Sequence, residues 1–187
     1  MGRWEPDARG RLQRAALELY SERGFEPTTV AQIAERAGLT ERTFFRHFAD
    51  KREVLFAGSA ELQELLVGRV AASSESASPL AAVADALETA AAVMQHRREH
   101  SRQRQRVIAA NVELQERELI KLASLASALA AALRERGVKE PEASLAAETG
   151  IAVFRVAFDR WTSGPDQPGL EELLRDSFVA LRAVTAR

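Results

Sequence analysis

The sequence predicts an all-α protein, and three observations carry that prediction. Ala, Leu, Glu and Arg are abundant among the 187 residues, against only two Trp, one Tyr and six Pro, and these abundant residues lose least on entering a helix. Apolar positions recur at i, i+3, i+4 and i+7 rather than at every second residue. Glycines fall where such stretches end, at Gly24, Gly38 and Gly137, as C-terminal stops do. An apolar content of 46% over this length suffices for a substantial core.

The elements follow in order. From Asp7 to Arg23, Leu12, Ala15, Ala16, Leu19 and Tyr20 share one helical face. After the connector at Phe25 and Pro27, Thr29 is a natural N-cap for a short helix with Val30, Ile33, Ala34 and Ala37 inward. Thr40 caps a third helix, in which Phe44 and Phe48 at i, i+4 form a narrow apolar stripe. Asp50 is expected to cap a fourth helix carrying Val54, Leu55, Leu62, Leu65 and Leu66, fading into the SSESAS loop before Pro79. A fifth helix runs from Leu80 to about Arg98, and the polar run QHRREHSRQRQR leads from it into VIAANVELQ. Glu113 to Arg136 has the strongest apolar stripe. Helix eight, from Pro141 to about Ser163, is apolar around most of its circumference and so predicts burial on more than one side. After GPDQPG, Leu170 to Val184 forms the last of about nine helices. A domain boundary is expected at the fourth helix, giving 1–52 and 53–187.

Composition excludes several functions. With no cysteine, disulfides, thiolate metal sites and cysteine nucleophiles are absent, and a reducing compartment suits the chain. Neither a signal-type apolar region nor an apolar run of bilayer length is present, so a cytoplasmic protein without a membrane partner is expected. G-x-S-x-G, H-E-x-x-H, P-loop and G-x-G-x-x-G patterns are missing, and the three histidines have no metal-ligand spacing. No enzyme, metal or cofactor is expected. Net charge is −1, but residues 1–52 hold ten basic against eight acidic residues, whereas 111–187 hold ten against twelve.

The stretch LTERTFFRHF, Leu39 to Phe48, puts three phenylalanines beside two arginines, and a helix of that kind touches two surroundings at once. Two short helices joined by AGLT, the second showing Arg, Thr and His beside buried Phe, describe a helix-turn-helix. The first helix braces the second, which enters the DNA major groove.

TTVAQIAERAGLTERTFFRHFADKREVLF resembles the DNA-binding region of TetR-family transcriptional regulators, through T-x-x-x-I-A-x-x-A-G-L-T, T-F-F-x-H-F and D-K-x-x-V-L at these spacings. The resemblance implies operator DNA as partner, with Thr29, Thr40, Thr43, His47 and Lys51 at positions of phosphate contact and Glu41 and Arg42 where base readers sit. Arg42 can donate a bidentate pair to guanine, and Arg46 reaches a base or a phosphate. Phe45 departs from the family's usual Tyr and offers only apolar contact. Gln32 and Arg36 are expected to be solvated.

The resemblance further implies a C-terminal effector and dimerisation domain, with a homodimer formed through helices eight and nine and a ligand that releases it from a palindrome. The segment from Gln103 to Gly137 is similar to a subgroup associated with acyl-CoA-like effectors. Leu87, Met94, Ile108, Leu122, Phe154 and Phe158 are candidates to line a pocket, though such residues also serve as plain core. Trp161 is a candidate pocket wall or dimer anchor. The basic run suggests an anion site at Arg97, Arg98, Arg102 and Arg104, or a solvated helix junction. The remaining alternatives are a helical interaction protein that keeps the motif without binding DNA, and a regulator with no small effector.

Overall fold

The structure, a computed structural model, describes residues 7–185. Residues 1–6 and 186–187, which entered the charge balance and the domain ranges, lie outside the described part. The described residues form helices α1 (Ala8–Arg23), α2 (Val30–Arg36), α3 (Glu41–His47), α4 (Ser59–Ala71), α5 (Pro79–Met94), α6 (Arg98–Ala109), α7 (Val112–Glu135), α8 (Glu142–Ser163) and α9 (Leu170–Thr185), with 3-10 turns at Glu53–Phe56 and Gln95–Arg97. No strand occurs among them. The chain divides into two compact units, residues 1–58 with 103–118, and residues 59–102 with 119–187.

The first unit is built on the expected apolar faces. Leu12, Ala16, Leu19 and Tyr20 of α1 pack with Ile33 of α2, Phe44 of α3 and Phe48. Val54, Leu55 and Phe56 join them, as do Val107, Ile108 and Leu114 from the end of α6 and the start of α7. A side-chain to carbonyl hydrogen bond and an ion pair tie that 103–118 segment to the 3-10 turn. The Arg104 guanidinium donates to the Leu55 carbonyl at 2.7 Å and to Glu118 at 3.0 Å, and it lies over the Phe56 ring. Arg117 donates to Glu53 at 2.7 Å.

The expected continuous helix from Asp50 is instead two pieces. The Asp50 carboxylate does cap, accepting from the amides of Arg52 at 2.8 Å and Glu53 at 3.1 Å, but the 3-10 turn that follows stops before Gly58. Gly58 has φ +99°, a region open to glycine and costly for other residues. Val54 and Leu55 therefore belong to the first unit's core, and Leu66 to the second's.

In the second unit α5 and α8 supply most of the small residues and α7, α8 and α9 most of the large ones. Val83, Ala86 and Leu87 of α5 pack with Leu129 and Leu133 of α7, Ala147, Ile151, Phe154 and Trp161 of α8, and Leu173 and Leu174 of α9. Gly150 of α8 faces Val83 and Leu87 of α5. A β-carbon there would stand 2.3 Å from Val83 Cγ1. α7 ends as its glycine predicts, with Gly137 at φ +89° and its amide and that of Val138 returning to the carbonyls of Arg134 and Leu133.

Candidate nucleic-acid interface

The turn between α2 and α3 is closed by backbone alone. The Leu39 amide reaches the Ala34 carbonyl at 2.8 Å and the Gly38 amide reaches Glu35 at 2.9 Å, with Gly38 at φ +66°. These are the paired bonds of a Schellman stop, which satisfies the last carbonyls of α2 while reversing the chain. Thr29 and Thr40 each have extended backbone and cap the next helix, accepting from the amides of Gln32 and Thr43 at 3.2 Å. Gln32 completes a capping box by accepting from the Thr29 amide at 3.0 Å. Its T-x-x-Q spacing was legible in the sequence, which assigned Gln32 only to solvent. Arg36 is likewise engaged, bridging α2 to Glu22 and Glu18 of α1 at 2.9 and 3.3 Å.

Two environments divide α3. Phe44 is 0% exposed and Phe48 nearly so, whereas the adjacent Phe45 is 55% exposed, its ring edge-on to Phe44 at 5.4 Å. Glu41, Arg42 and Arg46 are exposed with Phe45. Neither the Arg42 nor the Arg46 guanidinium has a hydrogen-bond or ion-pair partner among the described residues. Thr43 is half-buried, its hydroxyl 3.1 Å from that of Thr40. His47 is half-buried against Phe48, and its Nε2 is covered without a partner among the described residues. Glu41, Arg42, Phe45 and Arg46 thus form the exposed side of α3.

Lys51 does a different job from the one expected. Its ammonium donates to the carbonyls of Phe25 and Glu26 at 2.9 Å and of Thr28 at 3.1 Å, and lies 4.4 Å from the centre of the Phe25 ring. An ammonium has three protons, and all three are occupied. Lys51 holds the α1–α2 loop in shape, and in this conformation its ammonium has no proton left for a further acceptor. Tyr20, which the sequence placed only in the core, completes that clamp by donating to the Lys51 carbonyl at 2.6 Å. Burial, reinforced by the charge of Asp50, pushes the Tyr20 phenol well above its ordinary range, so it remains the donor.

The expected pocket residues do not form one set. Leu87, Met94, Leu122, Phe154 and Phe158 belong to the second unit's core, but Ile108 is buried in the first. Nor do the four arginines form one anion cluster. Arg97 is exposed. Arg98 donates to the carbonyls of Trp161, Gly164 and Gln167 and so caps the end of α8. Arg102 pairs with Glu99 at 3.0 Å, and Arg104 is occupied in the first unit. Trp161, 0% exposed, is enclosed in its own unit and is unavailable as a surface anchor. Among the described residues no cluster of three or more His, Asp or Glu is placed to hold a metal ion, and no helix is long and apolar enough to cross a membrane.

A braced, glycine-turned helix with a free cationic face is a helix-turn-helix reader in form. Comparison with known proteins agrees in both halves. Residues 12–57 match the family of bacterial regulatory proteins, tetR family, and residues 77–186 match the tetR-type region described as the MftR C-terminal domain. The chain belongs to the tetR family of bacterial regulatory proteins. Among curated proteins it is similar to the HTH-type transcriptional regulator TcmR of Streptomyces glaucescens, 41% identical over 78 residues, which are 42% of this chain and 34% of TcmR. It is also similar to the HTH-type transcriptional repressor KstR2 of Mycobacterium tuberculosis, 40% identical over 47 residues, 25% of this chain and 24% of KstR2. The likeness thus spans about a third or less of these relatives.

Among solved structures, the fold matches FadR of Thermus thermophilus in complex with lauroyl-CoA, with a TM-score of 0.54 at 24% identity over 96% of both chains. It also matches FadR of Bacillus subtilis in complex with stearoyl-CoA, with a TM-score of 0.62 at 18% identity over 92% of this chain and 96% of that one.

Proposed function

We propose that the protein is a sequence-specific, DNA-binding transcriptional repressor that acts as a homodimer in the cytoplasm, without enzymatic activity, and leaves a palindromic operator when a small, largely apolar ligand binds. The observation that carries this is the split of α3. Its phenylalanines fix the helix, while Arg42 and Arg46 project unpaired charge outward. Free exposed guanidiniums on a rigid helix suit base edges and phosphates. Thr29, Thr40, Thr43 and His47 would meet phosphate around the groove, Thr29 and one member of the Thr40–Thr43 hydroxyl pair retaining a proton to donate, and Phe45 would meet a thymine methyl. Glu41 both favours the helix start and reaches a base edge.

The dimer rests on a stripe of apolar surface. Leu145, Ala152 and Val156 on α8, and Val179 with Ala183 on α9, are exposed at helical spacing. A second copy would cover them in an isologous contact. One reader contacts too few bases to select a genomic site, whereas two-fold pairing reads both arms of a palindrome. Ligand release is supported by the acyl-CoA complexes of the two FadR proteins, and it requires the ligand to prefer one reader spacing over another, by about 5.5 kcal/mol for a shift from 99:1 to 1:99. Selection of duplexes from a random library by the purified protein tests the proposal. A two-fold-symmetric consensus is expected, and enrichment of no sequence refutes it.

A further inference from the structure

One large apolar side chain of the first unit lies outside its core. Among described residues 7–58, Phe45 is the only large hydrophobic residue left exposed, at 55%. The core does not call for it, since Phe44 and Phe48 of the same stretch fill the cluster from which Phe45 is missing. Nor is the ring loose. It stands edge-on to the buried Phe44, with ring centres 5.4 Å apart and planes at 82°, so its free surface is held in one direction. Around it Glu41, Arg42 and Arg46 are all exposed, and Arg42, three residues earlier, shares its side of the helix. Single exposed apolar residues are common on proteins. This one is set apart by being fixed between two guanidiniums that have no partner among the described residues.

We infer that Phe45 is a specificity-determining residue that selects one base pair of each half-site for the 5-methyl group of its pyrimidine. The major-groove edge of duplex DNA presents one apolar group, the C5 methyl of thymine, among its donors and acceptors. A phenyl ring neither donates nor accepts. Pressed on a phosphate or on a polar base edge it would strip water and return no hydrogen bond, so the methyl is the one feature of that edge that gains from the contact. A ring that senses only the methyl does not separate thymine from 5-methylcytosine, which carries the same group at the same carbon. It does penalise uracil and unmodified cytosine, which lack it. Residues three apart on a helix stand about 5–6 Å from each other, against a rise of about 3.4 Å per base pair, which puts the methyl within about two base pairs of the guanine that Arg42 takes. The inference rests on the DNA-binding reading and turns its thymine contact into a chemical requirement of the operator. It also makes the protein responsive to cytosine methylation at that position.

The test uses the full chain and an operator selected from the random library. The operator is resynthesised with uracil in place of one symmetric pair of thymines at a time, which removes the methyl groups and keeps the pairing with adenine. One pair, close to the guanines that respond to Arg42→Ala, should lose about fourfold in affinity per methyl, the worth of one buried carbon group. With a guanine opposite, 5-methylcytosine at that pair should bind tighter than cytosine by a similar factor. Phe45→Ala is expected to fold normally by circular dichroism, its ring lying outside the core, and to bind thymine and uracil duplexes equally. Low salt strengthens the phosphate contacts and keeps the variant measurable. Binding indifferent to uracil at every pair, 5-methylcytosine no better than cytosine, or a uracil penalty undiminished in Phe45→Ala overturns the inference. A protein that selects no duplex at all defeats the DNA-binding reading itself, so the two failures are distinct.

Discussion

Lys51 shows how a single residue changes meaning between sequence and structure. Its position in the motif led the sequence to assign it to phosphate, but its three protons sit on three carbonyls of the α1–α2 loop, a loop that delivers Thr29 to the surface. Lys51→Ala is therefore expected to cost about 1 kcal/mol of stability, since two of the three carbonyls are partly buried and would lose a charged donor. Chemical denaturation checks this, and an unchanged midpoint would show the clamp to be idle. Next to it, burial alone would raise the Asp50 carboxyl, but hydrogen bonds from the Arg52 guanidinium and from the amides of Glu53 and Arg52 hold it below the usual carboxylate range. An acid depressed in the fold stabilises above its unfolded value, about 3.9, and that contribution fades as pH falls through the lower folded value. Asp50→Asn should accordingly destabilise more at pH 7 than at pH 3, and equal losses at both would contradict the linkage.

At the scale of elements, α1 to α3 were legible because each local signal agreed with the others: period, caps at Thr29 and Thr40, stops at Gly24 and Gly38. The break after the 3-10 turn was not, although Gly58 marked it, because Val54 and Leu55 kept helical spacing with Leu62 and hid the change of core. The arginine run misled for a similar reason. Neighbours in sequence on a helix point in different directions, so Arg98 ends on α8's carbonyls and Arg104 on Glu118. Ile108 has the spacing of a pocket residue and the contacts of the reader's core. Helix approach is set by small residues that periodicity does not rank, and Gly150 is the clearest. Gly150→Ala should destabilise by about 1–3 kcal/mol through overpacking against fully buried Val83, read from the thermal unfolding of the full chain. No change would mean that α5 and α8 have room to part.

At the scale of the whole molecule, the sequence reached fold class and reader face because these follow from patterns within single helices. The proposed dimer surface was legible only as an excess of apolar residues on the last two helices, and which of the candidate pocket residues share a core was not legible, since that depends on how helices distant in sequence pack. Val156→Glu places a charge in the stripe on α8 and should convert the dimer to monomer in light scattering, weakening operator binding at least tenfold. A dimer that survives would place the interface elsewhere. Base reading by α3 through the free guanidinium at position 42 is tested by comparing Arg42→Ala with the parent protein on the selected operator and on a scrambled duplex. A loss of about 1–3 kcal/mol per reader is expected on the operator, with preference relaxed at one position in each half-site and little change on the scrambled duplex. Equal binding and unaltered preference on both would contradict the account.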